Sequence, residues 1–301
     1  MKHPSYLNLF KKELSQKEKK LFEILENCEA CPRKCQINRL KDEKGFCQLG
    51  YLPMVSACHP HFGEEPPLVG KYGSGTIFFT SCNLVCVYCQ NYEISQLRIG
   101  QEVPFERLAK MMIELQNMGC HNINLVTPTS QVPAIIRSLS LAIERGLKLP
   151  LVYNSNAYDS VEVLKILDGI IDIYMPDLKY SDNKIALKYS NASKYFETIK
   201  AAIKEMHCQV GDLIIDDKGI VIKGLLVRHL VLPNNLAGTK KIVKFLAEEI
   251  SKNTFLNIMD QYWPTWKAFQ YPELSRRITD EEFQEAINEA KEVGLKRLYK
   301  K

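Results

Sequence analysis

Cys82, Cys86 and Cys89, in the run CNLVCVYC, form the densest set of soft metal ligands in the chain. Their spacing lets one loop turn three sulfurs toward a common centre. Thiolates are the ligands that iron–sulfur clusters take, and a [4Fe-4S] cubane ordinarily uses four. Three thiolates leave one iron open, and an open position is what makes a metal site catalytic rather than structural. A tetrahedral zinc with a fourth ligand from elsewhere in the chain satisfies the same spacing.

A second set lies upstream. Cys28, Cys31 and Cys35 read CxxCxxxC, and Cys47 follows in the same segment. Four thiolates complete either a tetrahedral zinc site or an auxiliary iron–sulfur cluster. The alternative is four unrelated free thiols. Zinc would fold an N-terminal cap, whereas a cluster could also pass electrons. Cys58, His59 and His61 are spare ligands nearby, and His61 with Glu64 is expected to line the cap–barrel interface close to the substrate.

The rest of the composition is ordinary. Of 301 residues, 46% are hydrophobic and 25% charged, enough for a normal core. The formal net charge of +5 is slight over this length, so no nucleic-acid partner is expected. No run approaches the ~20 apolar residues of a membrane span, and the N-terminus lacks the apolar stretch of a secretion signal. The expected compartment is the cytoplasm, where clustered cysteines suggest metal rather than disulfides.

The elements that must position these ligands follow from periodicity. A charged amphipathic helix leads, then the cysteine-rich segment, then a Pro/Gly-rich connector at 61–75. The expected domains are a cap, 1–70, and a main domain, 71–301. Strands are predicted at 75–81, 123–128, 149–155, 171–179, 225–233 and 255–262, with a small hairpin at 213–224. Helices are predicted at 104–118, 132–145, about 160–168, on to about 207, and at 239–252. A last helix opens at Thr279, where TDEE offers a capping box. Apolar residues Phe105, Leu108, Met111, Met112, Leu115 and Met118 fall on one helical stripe, which reads as core packing. Six β-α units in series imply a parallel sheet with right-handed crossovers. The fold class is therefore α/β: a partial TIM barrel, (β/α)6, ahead of a doubly wound open sheet. The three close cysteines follow the first of these strands, at the strand end where such folds collect active-site groups.

CxxxCxxC in that position resembles the radical S-adenosylmethionine (SAM) superfamily. HFGEEPPLVGKYGSGTIFFTSCNLVCVYCQN is similar to the PflX-type branch, related to pyruvate formate-lyase-activating enzymes. NLVTPT, VYNS, DIYMPDLKY, LVRHLVLP, QYWP and YPELSRR extend the resemblance from Cys28 to the C-terminus. It implies that SAM chelates the open iron of the cluster at Cys82, Cys86 and Cys89. Reductive cleavage then gives a 5′-deoxyadenosyl radical for hydrogen abstraction. By the same resemblance, Asn154 and Ser155 lie near the SAM carboxylate and a monovalent cation. Met175 and Asp177 match the companion cation positions, with Lys179 beside them. Arg228 and Gln261 are expected on strands facing the pocket. The Gly-Gly-Glu motif that binds the SAM amino group in activating enzymes is replaced by Thr127-Pro128-Thr129, which leaves that role to Thr127 or Thr129. Ser81, Asn156 and Ala157 also depart from the small Ser/Gly residues of the related sequences.

The resemblance implies an electron donor such as flavodoxin or ferredoxin. The substrate is a protein, as in glycyl-radical activation, or a small molecule. Two other functions remain open on the residues alone: a non-catalytic zinc- or iron–sulfur-binding module, and an electron-transfer iron–sulfur protein.

Overall fold

Apolar, β-branched and aromatic runs such as Thr76-Ile77-Phe78-Phe79 and Leu151-Val152-Tyr153 build strands buried on both faces, as a parallel sheet flanked by helices requires. The computed structural model describes residues 4–300. Its strands are β1 (Met54–His61), β2 (Ser74–Phe79), β3 (Gln101–Glu102), β4 (Ile123–Val126), β5 (Leu151–Ser155), β6 (Ile173–Pro176), β7 (Ile214–Ile215), β8 (Val221–Leu230), β9 (Phe255–Met259) and β10 (Arg297–Lys300). Across the sheet the order is β10-β9-β8-β6-β5-β4-β2-β1-β3, with β7 paired to β8. From β2 to β10 every neighbour along that path is parallel.

All six strands expected of the β-α series are present. Three features were not anticipated. A seventh parallel strand, β10, pairs with β9 beyond the last helix. The end of the cysteine-rich segment and start of the connector form β1, antiparallel to β2. And β8 runs unbroken through Gly224: its first residues pair with β7 as a hairpin, and the rest join the parallel sheet.

Side-chain contacts show that the sheet curls. Strands β5, β6 and β8 lie between β4 and β9, which in a flat sheet would hold them about 19 Å apart. Yet Asn124 of β4 donates to Glu64 at 3.1 Å, and Asn257 of β9 donates to the adjacent Glu65 at 2.7 Å. Arg228 of β8 binds both glutamates. The sheet is therefore a partial barrel, with the Glu64–Glu65 turn plugged into its concave face. Burial opposes ionisation of Glu65, but Arg228 and Asn257 together hold its carboxyl below the usual range.

The cap shares the barrel's core. Leu14 and Leu21, on the helix Lys11–Glu23, join one apolar cluster with Ile77, Leu125, Leu139 and Tyr174. Ser5 donates its amide to Asp172 at 2.8 Å, and the Tyr6 hydroxyl donates to the Leu149 carbonyl at 2.9 Å. On the expected methionine stripe, Met112 is buried and Met111 half-buried, while Met118 is exposed just past the helix end.

Candidate active site

The loop after β2 carries Cys82, Cys86 and Cys89 at the carboxyl end of the parallel strands. Its backbone is held from two sides. Val85 and Val87 donate to the carbonyls of Ser190 and Tyr189, and Lys267 donates to Val87. Tyr88, between two of the cysteines, is buried edge-on against Tyr180 and Tyr262. The loop is thus pinned by packing, as a preorganised metal site requires.

Each sulfur has a polar neighbour. Cys82 Sγ accepts from the Leu84 amide at 3.3 Å and from Asn156 Nδ2 at 3.2 Å. Cys86 Sγ accepts from the Ser190 hydroxyl at 2.9 Å. Cys89 Sγ lies 3.2 Å from Ser95 Oγ. Such donors stabilise thiolate sulfurs and tune a cluster's potential. Without metal, burial pushes the thiol of Cys82 up to about 12. Burial also pushes Cys86 up to about 11, against the pull of the Lys179 ammonium. Three sulfurs on one loop, each within reach of a donor and none paired in a disulfide, fit a [4Fe-4S] cluster held at three corners.

Asn156, Ser190 and Ser95 were not assigned to the site from sequence. Ser190 is 104 positions from Cys86, and no spacing rule links the two. Asn156 stood out only as a departure from small residues.

The residues assigned to SAM fall into three groups. Thr127, Asn154, Asp177 and Lys179 lie at the carboxyl ends of β4, β5 and β6, the same end as the cysteine loop. Lys179 Nζ donates to Asp177 at 2.8 Å. Burial works against the Lys179 ammonium, but Asp177 and then Cys86 raise its pKa above the ordinary value. Thr129 and Ser155 turn instead to Asp159, a buried carboxylate that the sequence reading did not single out. Thr129, Tyr153 and Ser155 hydroxyls donate to it at 2.7, 2.9 and 2.6 Å. Burial pushes its pKa up, and those three donors oppose the rise. Arg228 and Gln261 differ: Arg228 bridges to Asp177 through the backbone, while Gln261 stands apart. The guanidinium of Arg228 is tied to Glu64 and Glu65, and Gln261 is exposed two residues beyond the end of β9.

Three strand ends are strained. Ser81, Thr127 and Ala157 follow β2, β4 and β5 with φ of 73°, 60° and 63°. Non-glycine residues in this region cost roughly 1–2 kcal/mol each, and such outliers gather at functional sites. These positions overlap the departures from Ser/Gly noted in the sequence. The geometry that glycine would adopt freely is kept, with a side chain imposed on it.

His59 and His61 alternate along β1, and both rings pack near Phe78 of β2, at 5.4 and 5.7 Å between centroids. His229 is structural. Its Nδ1 lies 2.7 Å from the Leu178 carbonyl, which can only accept, so Nδ1 carries the proton and Nε2 accepts from Thr239.

The four upstream cysteines converge as well. Cys28, Cys31, Cys35 and Cys47 line one small, partly open recess together with Arg33, Arg39, Phe46, Asn83 and Ser130.

Comparison with known proteins bears on the whole chain. Residues 76–211 match the family model described as the radical SAM superfamily. The uncharacterized protein MJ0674 of Methanocaldococcus jannaschii is 34% identical over 285 residues, covering 92% of this chain and 78% of that protein. The uncharacterized protein MJ0808 of the same organism is 25% identical over 295 residues, covering 90% and 80%. A domain of pyruvate-formate lyase-activating enzyme from Bacteroides vulgatus ATCC 8482 aligns with a TM-score of 0.38 at 13% identity, covering 65% of this chain and 91% of that one. With its cysteine loop, the matching family model and the 34% identical relative, the chain belongs to the radical SAM superfamily.

Proposed function

We propose that this protein reductively cleaves SAM and abstracts hydrogen from a substrate, in the manner of the activating enzymes of glycyl-radical proteins. One observation carries the reading: three sulfurs on a pinned loop at the carboxyl end of the parallel strands, each with its own hydrogen-bond neighbour. When bound, the cluster and SAM supply the electron and the 5′-deoxyadenosyl radical. The chain's part is positioning. Thr127 offers an oxygen to the SAM amino group, and Asn154 its amide N–H to the SAM carboxylate, across the ends of β4 and β5. The Asp177–Lys179 pair supplies balanced charge beside Cys86, where a monovalent cation would be a third partner. Thr129 and Ser155 act one step removed, holding the strand ends through Asp159.

Glu64, Arg228, Asn124 and Asn257 form a polar floor within the barrel. A floor of this kind suits a polar substrate. A protein loop of the kind that activating enzymes modify is the first candidate, and a small polar molecule the second. A flavodoxin- or ferredoxin-like donor would reduce the cluster.

The test is anaerobic reconstitution with iron and sulfide, reduction, and addition of SAM. The expected product is 5′-deoxyadenosine, measured by liquid chromatography, and it should fall to background in Cys82→Ala, Cys86→Ala or Cys89→Ala. Zinc at this triad in protein purified without oxygen, or a cluster that never turns over SAM, would point instead to a binding or electron-transfer module.

A further inference from the structure

We infer that Cys28, Cys31, Cys35 and Cys47 hold a second iron–sulfur cluster, of the four-iron type, wired to the Cys82 loop as a one-electron relay. The four thiols line a single recess. A [4Fe-4S] cubane takes four thiolates, one at each iron corner, and four are offered around this one recess.

The polar groups on the wall point to the same occupant. Arg33 Nη2 and Ser130 Oγ are buried donors without a partner, and both residues line the recess. Ser130 is only 4% exposed. Arg39, itself 3% exposed, fixes that stretch by donating to the Ser130 carbonyl at 2.7 Å. Unmet donors are costly in an empty apolar recess. Sulfide-bridged iron presents acceptors, and hydrogen bonds to its sulfurs set its potential. The backbone also approaches closely: the Phe46 amide donates to Cys35 Sγ at 3.5 Å, and a Cβ on Gly45 would lie 2.9 Å from that sulfur.

Two short links join the recess to the triad. The Ser81 hydroxyl donates to the Cys47 carbonyl at 2.5 Å, and Ser81 precedes Cys82. Arg33 Nε donates to the carbonyl of Asn83, which follows Cys82, at 2.8 Å. Cys47 thus reaches Cys82 through one hydrogen bond and the backbone of Ser81. An external low-potential one-electron donor reduces the upstream cluster. That cluster returns to its oxidised state by passing the electron to the triad, and no bond is made or broken. The relay rests on the proposed function of the triad, whereas iron in the recess does not.

The experiment uses the full chain, reconstituted without oxygen with ferrous iron and sulfide in the presence of competing zinc. The wild type should bind about eight irons, and a Cys82→Ala/Cys86→Ala/Cys89→Ala variant about four. Adding Cys31→Ala to that variant should remove the remainder. Zinc in the recess, or about four irons in the wild type with the upstream thiols still open to alkylation, would overturn the assignment. The wild-type count stands even if a variant misfolds. After reduction, the wild-type electron paramagnetic resonance spectrum should be broadened by spin coupling between neighbouring clusters. A plain sum of the two single-cluster spectra would sink the relay while leaving the second cluster in place.

Discussion

Asp159 and His229 show how single buried groups set the rigidity of the site. Asp159 gathers the hydroxyls of Thr129, Tyr153 and Ser155, and so ties the ends of β4 and β5 together. Asp159→Ala would leave three buried hydroxyls short of an acceptor. The expected loss is roughly 3 kcal/mol of stability by urea melting, with a smaller loss for Asp159→Asn. His229 predicts a pH effect. Burial lowers its pKa to about 4, the Leu178 carbonyl pulls upward, and Lys179 adds to the fall. Folded His229 is therefore neutral where the unfolded histidine, near 6.5, already takes a proton. The unfolded chain binds more protons in that window, so stability falls as pH drops from about 6.5 to 4. The shift corresponds to roughly 3 kcal/mol. Melts across that range should show a flatter slope in His229→Gln, and an unchanged slope would exclude this residue as the cause.

Among the elements, those with strong local signals were legible. The last helix begins where the capping box placed it. The Thr279 hydroxyl accepts from the Glu282 amide, and the Glu282 carboxylate accepts from the Thr279 amide. Thr279→Ala should cost about 1 kcal/mol in a thermal melt, because the Glu282 amide would lose its hydroxyl acceptor. The six barrel strands were equally plain, since buried parallel strands are continuous apolar runs. What stayed hidden was short or mixed. Arg297-Leu298-Tyr299-Lys300 reads as a charged tail and becomes β10 only because the β9 edge is free to pair. Met54–His61 was masked by its cysteine and histidines, which drew attention as ligands rather than as alternating strand positions. The cysteine triad was legible because its chemistry is local. Its supporting donors, Asn156 and Ser190, come from distant elements and leave no periodic trace.

At the scale of the whole molecule, the Glu64–Glu65 turn closes the curl of the sheet. It joins β4, β8 and β9 from inside, so its loss should act on the barrel rather than on one loop. Glu65→Ala would leave the buried Arg228 with Glu64 as its remaining carboxylate and strip the Asn257 amide of its acceptor, at a cost of about 2–3 kcal/mol by denaturant unfolding. Because cap and barrel share one apolar cluster, that loss should appear as one lowered transition rather than a separate melting of the cap. The contacts of Ser5 with Asp172 and of Tyr6 with Leu149 span 167 and 143 positions. A ribosome adds roughly 5–20 residues per second, so several seconds pass between the emergence of the leading segment and that of its anchors. For much of that interval the thiols from Cys28 to Cys47 are already translated while Ser130, a wall of their recess, is not. The recess is therefore completed only after its thiols have been made, and oxidation of those nascent thiols is the hazard of the delay.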